Sequence, residues 1–430
     1  MPSLIGLIAF SSSRVVDAIF IGKLIGSDAL AAVNLLIPFM SLPFAFCFMF
    51  CVGGMVSAGK YIGEKNPSKA SEIFSKTAIF VFFMGLLISV VIWVFRLPIF
   101  SLLGAPESLV PLMSEYLSVA APFLVAELSM VVLYFFIRVD NAPHLVSNSL
   151  IITSLSNVLL DYIFISEMGW GMRGAALATG ITHVFAIILF SRHFFSGRNK
   201  IRPMIPRSGW RELLRTCANG FSEFINEVSI NVTMFIVHWL LILKVGIAGV
   251  AAISAVNYLI FFGYHIFFAV SDTLRIVVSQ NLGAKQPERV RQFLQVSMGF
   301  TLVFGCICIL LLVLFPEAMV SVFLNRSEDA AFGLALEFIG YMWPMLIFVG
   351  WNMTVSAYLT GVHKAKESAL LSLLRSLVLP VGLLYLFNSW LTDVPLLLAL
   401  PSAEVLTMLL SLVLLALNPP SKVVPKAVPI

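Results

Sequence analysis

The chain has 430 residues, of which 60% are hydrophobic and only 11% charged, and its formal net charge at pH 7 is +5. A water-soluble domain of this length needs a charged surface, so the composition excludes a soluble globular protein. The basic residues lie mostly in short segments between apolar stretches. The positive charge is therefore an orientation signal of a membrane protein, and it argues against a nucleic-acid partner.

Twelve stretches are apolar and long enough to cross a bilayer. A helix needs about 20 apolar residues to cross a hydrocarbon layer roughly 30 Å thick. The predicted spans are 2–24, 29–58, 73–95, 109–137, 143–166, 174–194, 211–242, 249–280, 292–315, 331–360, 367–389 and 396–417. The sequence thus predicts an all-α polytopic membrane protein with about twelve transmembrane helices.

The basic residues predict the orientation of these helices, because lysine and arginine accumulate in cytoplasmic connections. With the N-terminus inside, twenty of the 27 Lys and Arg residues fall on the cytoplasmic side. Arg14 and Arg275 lie within spans, and five residues fall outside: Lys23, Arg96, Arg173, Lys244 and Arg326. We therefore expect a multi-pass protein of the cell (inner) membrane with both termini in the cytoplasm.

The chain also repeats itself. Three matches occur in the same order: LAAVN at 30–34 with ISAVN at 253–257, YIGEKNPSKASEIF from Tyr61 with NLGAKQPERVRQFL from Asn281, and RVDNAPHL from Arg138 with GVHKAKES from Gly361. They indicate two homologous six-helix halves, and an even helix number gives parallel repeats, as in alternating-access transporters. We predict an N-terminal lobe over 1–195, a cytoplasmic linker over 196–209 and a C-terminal lobe over 210–430. A duplicated helical scaffold without transport is the alternative.

Seven carboxylates lie inside the predicted spans: Asp17, Glu127, Asp161, Glu223, Glu227, Asp272 and Glu404. A charge near the bilayer centre costs at least ~3 kcal/mol, so each needs a partner, a proton or an aqueous cavity. A local ion pair with Arg275 explains Asp272. Glu404 lies near the start of its span, and Glu127 has no partner evident in the sequence.

Asn157 precedes Asp161 by one helical turn, which places two oxygen-bearing side chains on one face of the fifth span. Such a face binds a cation, or the desolvated carboxylate carries a proton. Asp17 adds a second acid on the first span, with a structural pair to Arg14 as the alternative. In the register of the first and third repeat matches, Asp17 and Asp161 correspond to Leu240 and Leu384, and this asymmetry between the halves favours function.

Glu223 and Glu227 are four residues apart on the seventh span and share a face, where their charges repel. A shared proton, a bound cation or a cationic substrate would relieve this repulsion. The pair is thus a candidate substrate site or second coupling site. The alternative is that both side chains are solvated in the cytoplasmic half of the helix, near Arg211 and Arg215.

In its order of segments the chain resembles the multidrug and toxic compound extrusion (MATE) transporters, of the wider multidrug/oligosaccharidyl-lipid/polysaccharide flippase superfamily. The segments are VDAIFIGKLIGSDALAAVN from Val16, YIGEKNPSKA, NLGAKQPERV, NVLLDYIFI from Asn157 and GAALATGI from Gly174. The resemblance implies two six-helix lobes. It also implies a cation or proton site in the first lobe, at Asp17, Asn157, Asp161 and Thr179, and an acid at Glu227 in the second.

Three features depart from the family pattern. Some members of the family carry an acid in the tenth span that this chain lacks. The difference argues against a complete sodium site in the second lobe. Pro2 matches a kink-forming proline of the first helix, so we expect helix 1 to begin in mid-membrane, through a misassigned start or a shortened form. Arg14 near the ion site is unusual, and its charge could replace a bound cation.

The resemblance implies a secondary antiporter that exports amphipathic, often cationic organic compounds in exchange for sodium or protons. We expect no cofactor beyond that coupling ion, a small organic substrate, membrane lipids as neighbours and a monomer. One alternative is a lipid-linked oligosaccharide flippase, whose pyrophosphate substrate usually requires cationic residues that are scarce in these spans. The other is an integral membrane enzyme, against which the scattered histidines and cysteines show no catalytic pairing.

Overall fold

The computed structural model describes residues 2–197, 199–324, 329–391 and 393–425, which are mostly helical and contain no strand. The helices are α1 (Pro2–Phe20), α2 (Ser27–Gly63), α3 (Pro67–Val94), α4 (Arg96–Leu102), α5 (Val110–Val139), α6 (Pro143–Asp161), α7 (Gly171–Phe195), α8 (Arg211–Val245), α9 (Ile247–Gly283), α10 (Pro287–Leu314), α11 (Pro316–Val320), α12 (Asp329–Met342), α13 (Met345–Gly361), α14 (Ala365–Leu373), α15 (Leu379–Ser389), α16 (Ala399–Leu417) and α17 (Pro420–Val423). Met1, the side chain of Pro2, and Arg326 lie outside the described part, so the expectation about the start of helix 1 remains a prediction.

Ten helical stretches in the described part are long and apolar enough to cross a membrane. An eleventh consists of Ala330–Met342 and Met345–Gly361, which meet at a bend of 52°. The predicted all-α polytopic fold is confirmed. The bend follows from Pro344, which caps α13 and has no N–H to continue the hydrogen bonding of α12.

Three spans contain a wider, π-helical segment at Ile21–Ile25, Tyr162–Glu167 and Leu374–Val378. Such segments insert a residue into the α-helical ladder and occur frequently at functional sites. Two of them follow α1 and α6 directly, the helices that carry Asp17 and Asp161. The hydropathy pattern predicts the length of these helices but not these local changes.

The chain forms two compact units, Met1–Gly220 and Phe221–Ile430. In the first unit α1 packs along α6, while α5 packs against α2, α3 and α7. In the second unit α9 packs against α10, α12 and α13, and α13 also contacts α16. The predicted linker over 196–209 belongs to the first unit, which also contains the first turns of α8.

Equivalent turns mark the internal repeat. Lys65 and Lys285 both have left-handed φ angles, of 58° and 56°, and each is followed within two residues by the first proline of a helix. Gly26 and Gly246 also have positive φ, and each N–H donates to a carbonyl five residues earlier. The separation along the chain is the same for both pairs, so the two pairs define one register between the halves.

This register corrects two of the sequence matches. It aligns LAAVN at 30–34 with VAAIS at 250–254, not with ISAVN. A third turn pairs Asn141 (φ 63°) with His363 (φ 61°), which shifts the match of RVDNAPHL by one position. The counterparts of Asp17 and Asp161 are therefore Val237 and Leu383, so the second half still lacks both acids.

Three of the basic residues that were assigned to the cytoplasmic side are buried within the protein. Lys76 is 0% exposed, Arg138 is 3% exposed and Arg375 is 6% exposed. Two of them pair with acids distant in sequence: Lys76 with Glu212, and Arg375 with Glu404. The second unit thus contains two buried arginines, Arg275 and Arg375, of which only Arg275 was counted within a span.

The segment 199–209, hereafter the strap, runs against α3. Three side chains of α3 accept hydrogen bonds from its backbone N–H groups: Ser71 from Arg202 (3.0 Å), Ser75 from Met204 (2.9 Å) and Glu72 from Arg207 (2.9 Å). The buried Lys76 ammonium donates to the Gly209 carbonyl at 3.2 Å and to the Glu212 carboxylate at 3.0 Å. The strap is therefore fixed to the first unit up to the start of α8.

Candidate functional site

The first candidate site lies at the end of α6, in the interior of the first unit. Asp161 is the last residue of this helix and is 0% exposed, and Asn157, one turn earlier, is 4% exposed. Both side chains therefore lie on the buried face of α6, as the sequence spacing predicted. The π-helical segment begins at the next residue, Tyr162.

Asp17 reaches this point from α1. Its carboxyl group lies against that of Asp161, and the hydroxyl of Thr179 on α7 lies beside it. The structure thus brings together three predicted residues from α1, α6 and α7, with Asn157 one turn away. Asp17 and Thr179 are half-buried.

The hydrogen bonding of this group is incomplete. Among the described residues, no donor reaches Asp17 Oδ1 or either carboxylate oxygen of Asp161, although all three atoms are buried. Asn157 Nδ2 is likewise buried without an acceptor in the described part. Buried polar atoms are rarely left unsatisfied in folded proteins, so each such atom requires an explanation.

Chemically, these oxygens suit a small hard cation. Carboxylate, amide and hydroxyl oxygens are the ligands that hard cations take in proteins. Two facing carboxylates also repel each other unless a proton or a cation lies between them. Asp17, Asn157, Asp161 and Thr179 are thus able to hold sodium, and the two acids are alternatively able to hold a proton.

A second group of charges adjoins this pair. Arg14, one turn before Asp17 on α1, donates from Nη2 to Glu127 Oε1 on α5 at 3.4 Å. His183 Nε2 on α7 lies 3.8 Å from the same oxygen. Arg14 and His183 both lie within electrostatic range of Asp17. The two groups together contain three carboxylates and one arginine.

The candidate pair on α8 divides into two different environments. Glu223 is 4% exposed and accepts a short hydrogen bond from Arg275 Nη2 of α9. Arg275 Nη1 also lies 3.7 Å from Asp272 Oδ1, consistent with the predicted local pair. Glu223 is therefore neutralised inside the second unit and is not solvated near Arg211 and Arg215.

Glu227, one turn further along α8, is half-buried and lies near the charge of Glu223. In the described part of the chain, its carboxylate has no ion pair with a lysine, arginine or histidine. Because Arg275 pairs with Glu223, Glu227 is the member of the pair that lacks a basic partner in the described part. This distinction does not follow from the i, i+4 spacing.

Glu404, in the second turn of α16, is buried at 7% exposure. Arg375 Nε donates to both of its carboxylate oxygens, at 3.0 and 3.2 Å, and Asn352 Nδ2 donates to Oε2 at 2.8 Å. The Tyr264 hydroxyl accepts from Arg375 Nη2. A small cavity borders this network and is lined by Glu223, Asn226, Arg275, Ser356, Ser372 and Arg375.

Sequence reasoning missed the partners of Glu127, Glu223 and Glu404. Each partner lies on another helix, and His183 gave no pattern that separates it from the other histidines. A weak signal was present nonetheless, since an intramembrane arginine such as Arg14 or Arg275 requires an acid nearby.

Known proteins resemble this chain along most of its length. The FAD transporter of Shewanella oneidensis is 26% identical over 94% of this chain and 90% of its own length. The probable multidrug resistance protein YoeA of Bacillus subtilis is 24% identical over 81% of this chain and 77% of its own. The structure of a MOP superfamily transporter from Pyrococcus furiosus superposes with a TM-score of 0.91, at 20% identity, over 98% of this chain and 94% of that chain.

The repeat is also visible in the family comparison, because the sequence model of the MatE family matches two separate parts of the chain. These matches cover residues 2–163 and 224–386. Together they include Asp17, Asn157 and Asp161 of the first site, and Glu227 of the second. Thr179 lies outside both matches. The chain therefore belongs to the MatE family, the multidrug and toxic compound extrusion transporters.

Proposed function

We propose that this transporter exports amphipathic organic compounds, cations among them, in exchange for sodium or protons. Its family makes the chain a membrane transporter and not an enzyme. The observation that carries the proposal is the contact between the carboxyl groups of Asp17 and Asp161, with three buried oxygens that accept no hydrogen bond from the described residues.

The coupling step follows from this contact. A cation or proton between Asp17 and Asp161 stabilises the packing of α1 on α6, and its loss leaves two carboxylates that repel. An ion that binds one conformation more tightly than another shifts the equilibrium by that difference in affinity. Release of the ion on one side of the membrane therefore favours a different arrangement of α1, and the substrate moves in the opposite direction.

The acids of the second unit are the candidates for substrate binding. Within its helices, four carboxylates outnumber the two guanidiniums of Arg275 and Arg375. The carboxylates are those of Glu223, Glu227, Asp272 and Glu404. The excess of negative charge favours a cationic group or a proton, and Glu227 is the carboxylate without a basic partner in the described part. We therefore assign Glu227 to substrate binding or to a second coupling step, with Glu223 orienting Arg275.

The test is export of ethidium from proteoliposomes, with sodium and proton gradients imposed separately. Asp161→Asn keeps the shape of the side chain but removes the charge, so it should abolish gradient-driven export at equal protein density. Asp28→Asn, an exposed acid in the first turn of α2, is the matched control and should export normally. Normal export by Asp161→Asn would exclude Asp161 as a coupling residue.

A second candidate substrate is a flavin dinucleotide, because a relative that is 26% identical is an FAD transporter. Arg275 offers a chemical reason: its Nε and Nη1 atoms are buried and donate to no described residue. These donors suit a phosphate oxygen, although the neighbouring carboxylates oppose an anion. Competition of FAD with ethidium in the same proteoliposomes decides between the two: inhibition by FAD supports the flavin, and its absence supports the cation.

We also propose that the protein is a monomer in the cell membrane and, from the distribution of lysine and arginine, that both termini lie in the cytoplasm. Among the predicted outer residues, Lys23, Arg96 and Arg173 lie at or next to helix ends. Labelling of single cysteines by an impermeant maleimide in intact cells tests this orientation. A cysteine at position 173 should react, and one at position 65 should not.

A further inference from the structure

Arg14 is close to the proposed coupling site, and its guanidinium contacts a third acid there, Glu127. It lies three residues before Asp17 on α1, so both side chains are on the same face of the helix. Arg14 Nη2 donates to Glu127 Oε1 on α5, at 3.4 Å. The Arg14 side chain is 60% exposed, which leaves it room to change its rotamer.

A guanidinium beside Asp17 would act as an internal substitute for the coupling cation. Asp17 Oδ1 is buried and accepts no hydrogen bond from the described residues, so it is available as an acceptor. Arginine carries its charge at every physiological pH. If Arg14 turned to Asp17, it would neutralise one of the two facing carboxylates and weaken the binding of any external cation.

Glu127 opposes that movement. It presents Oε1 to Arg14 from α5, and the Nε2 atom of His183 lies 3.8 Å from the same oxygen. The Glu127 side chain is only 16% exposed, so the surrounding helices restrict its orientation. Tyr116, also on α5, lies within electrostatic range of Asp17, Glu127 and Asp161 but carries no positive charge.

We propose that Glu127 is a positioning residue that keeps the Arg14 guanidinium off Asp17, so that the acid pair remains available to the coupling cation. The inference rests on the proposed role of Asp17 and Asp161. Glu127 does not contact the cation itself and acts through Arg14. A plain ion pair, in which Arg14 and Glu127 only neutralise each other, is the competing explanation.

Removal of the Glu127 charge separates the two explanations. In Glu127→Gln the guanidinium loses its carboxylate and pairs with Asp17, which should raise the concentration of coupling ion for half-maximal ethidium export about tenfold or more. In Arg14→Gln/Glu127→Gln the competing guanidinium is absent, and the ion dependence should return toward that of the unmodified protein. Arg14→Gln alone should leave the half-maximal concentration unchanged or lower it.

A second readout does not depend on transport. The unfolding temperature of the purified protein in detergent is measured against sodium concentration and against pH, because an ion that binds only the folded state raises it. Glu115→Gln is the matched control, since Glu115 also lies on α5 and pairs with an exposed arginine, Arg173, at 3.7 Å. It should change neither readout.

The outcomes are distinct. An unchanged ion dependence in Glu127→Gln, or a double variant as impaired as Glu127→Gln, would overturn the positioning role. Arg14→Gln with a raised half-maximal concentration would overturn it as well, and this variant leaves Glu127 intact. Failure of the proposed coupling site is recognised separately, because Asp161→Asn would then keep both ion-dependent export and ion-dependent stabilisation.

Discussion

Lys65 and Lys285 adopt the same left-handed backbone conformation, with φ of 58° and 56°, at the ends of α2 and α9. In both turns the N–H of the next residue donates to a carbonyl five positions earlier, from Asn66 to Tyr61 at 2.8 Å and from Gln286 to Asn281 at 3.0 Å. A side chain in this region of φ is strained, whereas glycine is not. The two halves therefore share a backbone feature that their side chains disfavour.

The first prediction concerns this strain. Lys65→Val should lower the free energy of unfolding by about 1–2 kcal/mol, because β-branched residues tolerate positive φ least. Lys65→Gly should be neutral or stabilising. Thermal unfolding in detergent measures both, with Lys366→Val, an exposed residue on α14, as the control. Equal effects of valine at positions 65 and 366 would show that the turn is not strained.

The second prediction concerns close helix packing in the first unit. A Cβ atom added to Gly53 on α2 would lie 2.0 Å from the carbonyl oxygen of Thr216 on α8, whose backbone has no room to move aside. Gly53→Ala should therefore destabilise by about 1–3 kcal/mol or more, as overpacking does. Gly299→Ala on α10 meets nothing within 4 Å and should be neutral or slightly stabilising. A lower unfolding temperature in both variants would point to a general intolerance of substitution.

The third prediction separates the two acids of α8. Glu223→Gln breaks a buried pair with Arg275, which typically costs about 3–5 kcal/mol, so the unfolding temperature should fall. Glu227→Gln removes a charge without a basic partner in the described part and should leave stability unchanged or raise it. It should reduce ethidium export, but less than Asp161→Asn. Export and unfolding temperature are measured on the same preparations, and destabilisation by Glu227→Gln alone would reverse the assignment.

The sequence predicted helices and their order well, because hydropathy over about 20 residues reports directly on membrane crossing. It did not predict the bend at Pro344, the short α4 and α11, or the π-helical segments, which depend on local backbone bonding. For the site, the spacing of Asn157 and Asp161 placed both on one face. Periodicity does not reveal which helix meets that face, so the pairing of Arg14 with Glu127, 113 residues away, required the structure.

The repeat shows the same limit. Short identical strings such as AVN paired Leu30 with Ile253, whereas the turns at Gly26 and Gly246 pair it with Val250. Matching backbone turns define the register more strongly than matching apolar residues do, since alanine, valine and leucine recur throughout any membrane helix. The role of Asp17, Asn157, Asp161 and Thr179 in ion binding stays a prediction until transport is measured.

The strap along α3 has a consequence for the order of synthesis. Its hydrogen-bond acceptors, Ser71, Ser75 and Glu72, all emerge from the ribosome long before residues 202–208. N-terminal domains generally fold first during translation. The strap's acceptors on α3, and Lys76 as the partner of Glu212 in the first turn of α8, are therefore synthesised before the second unit is made.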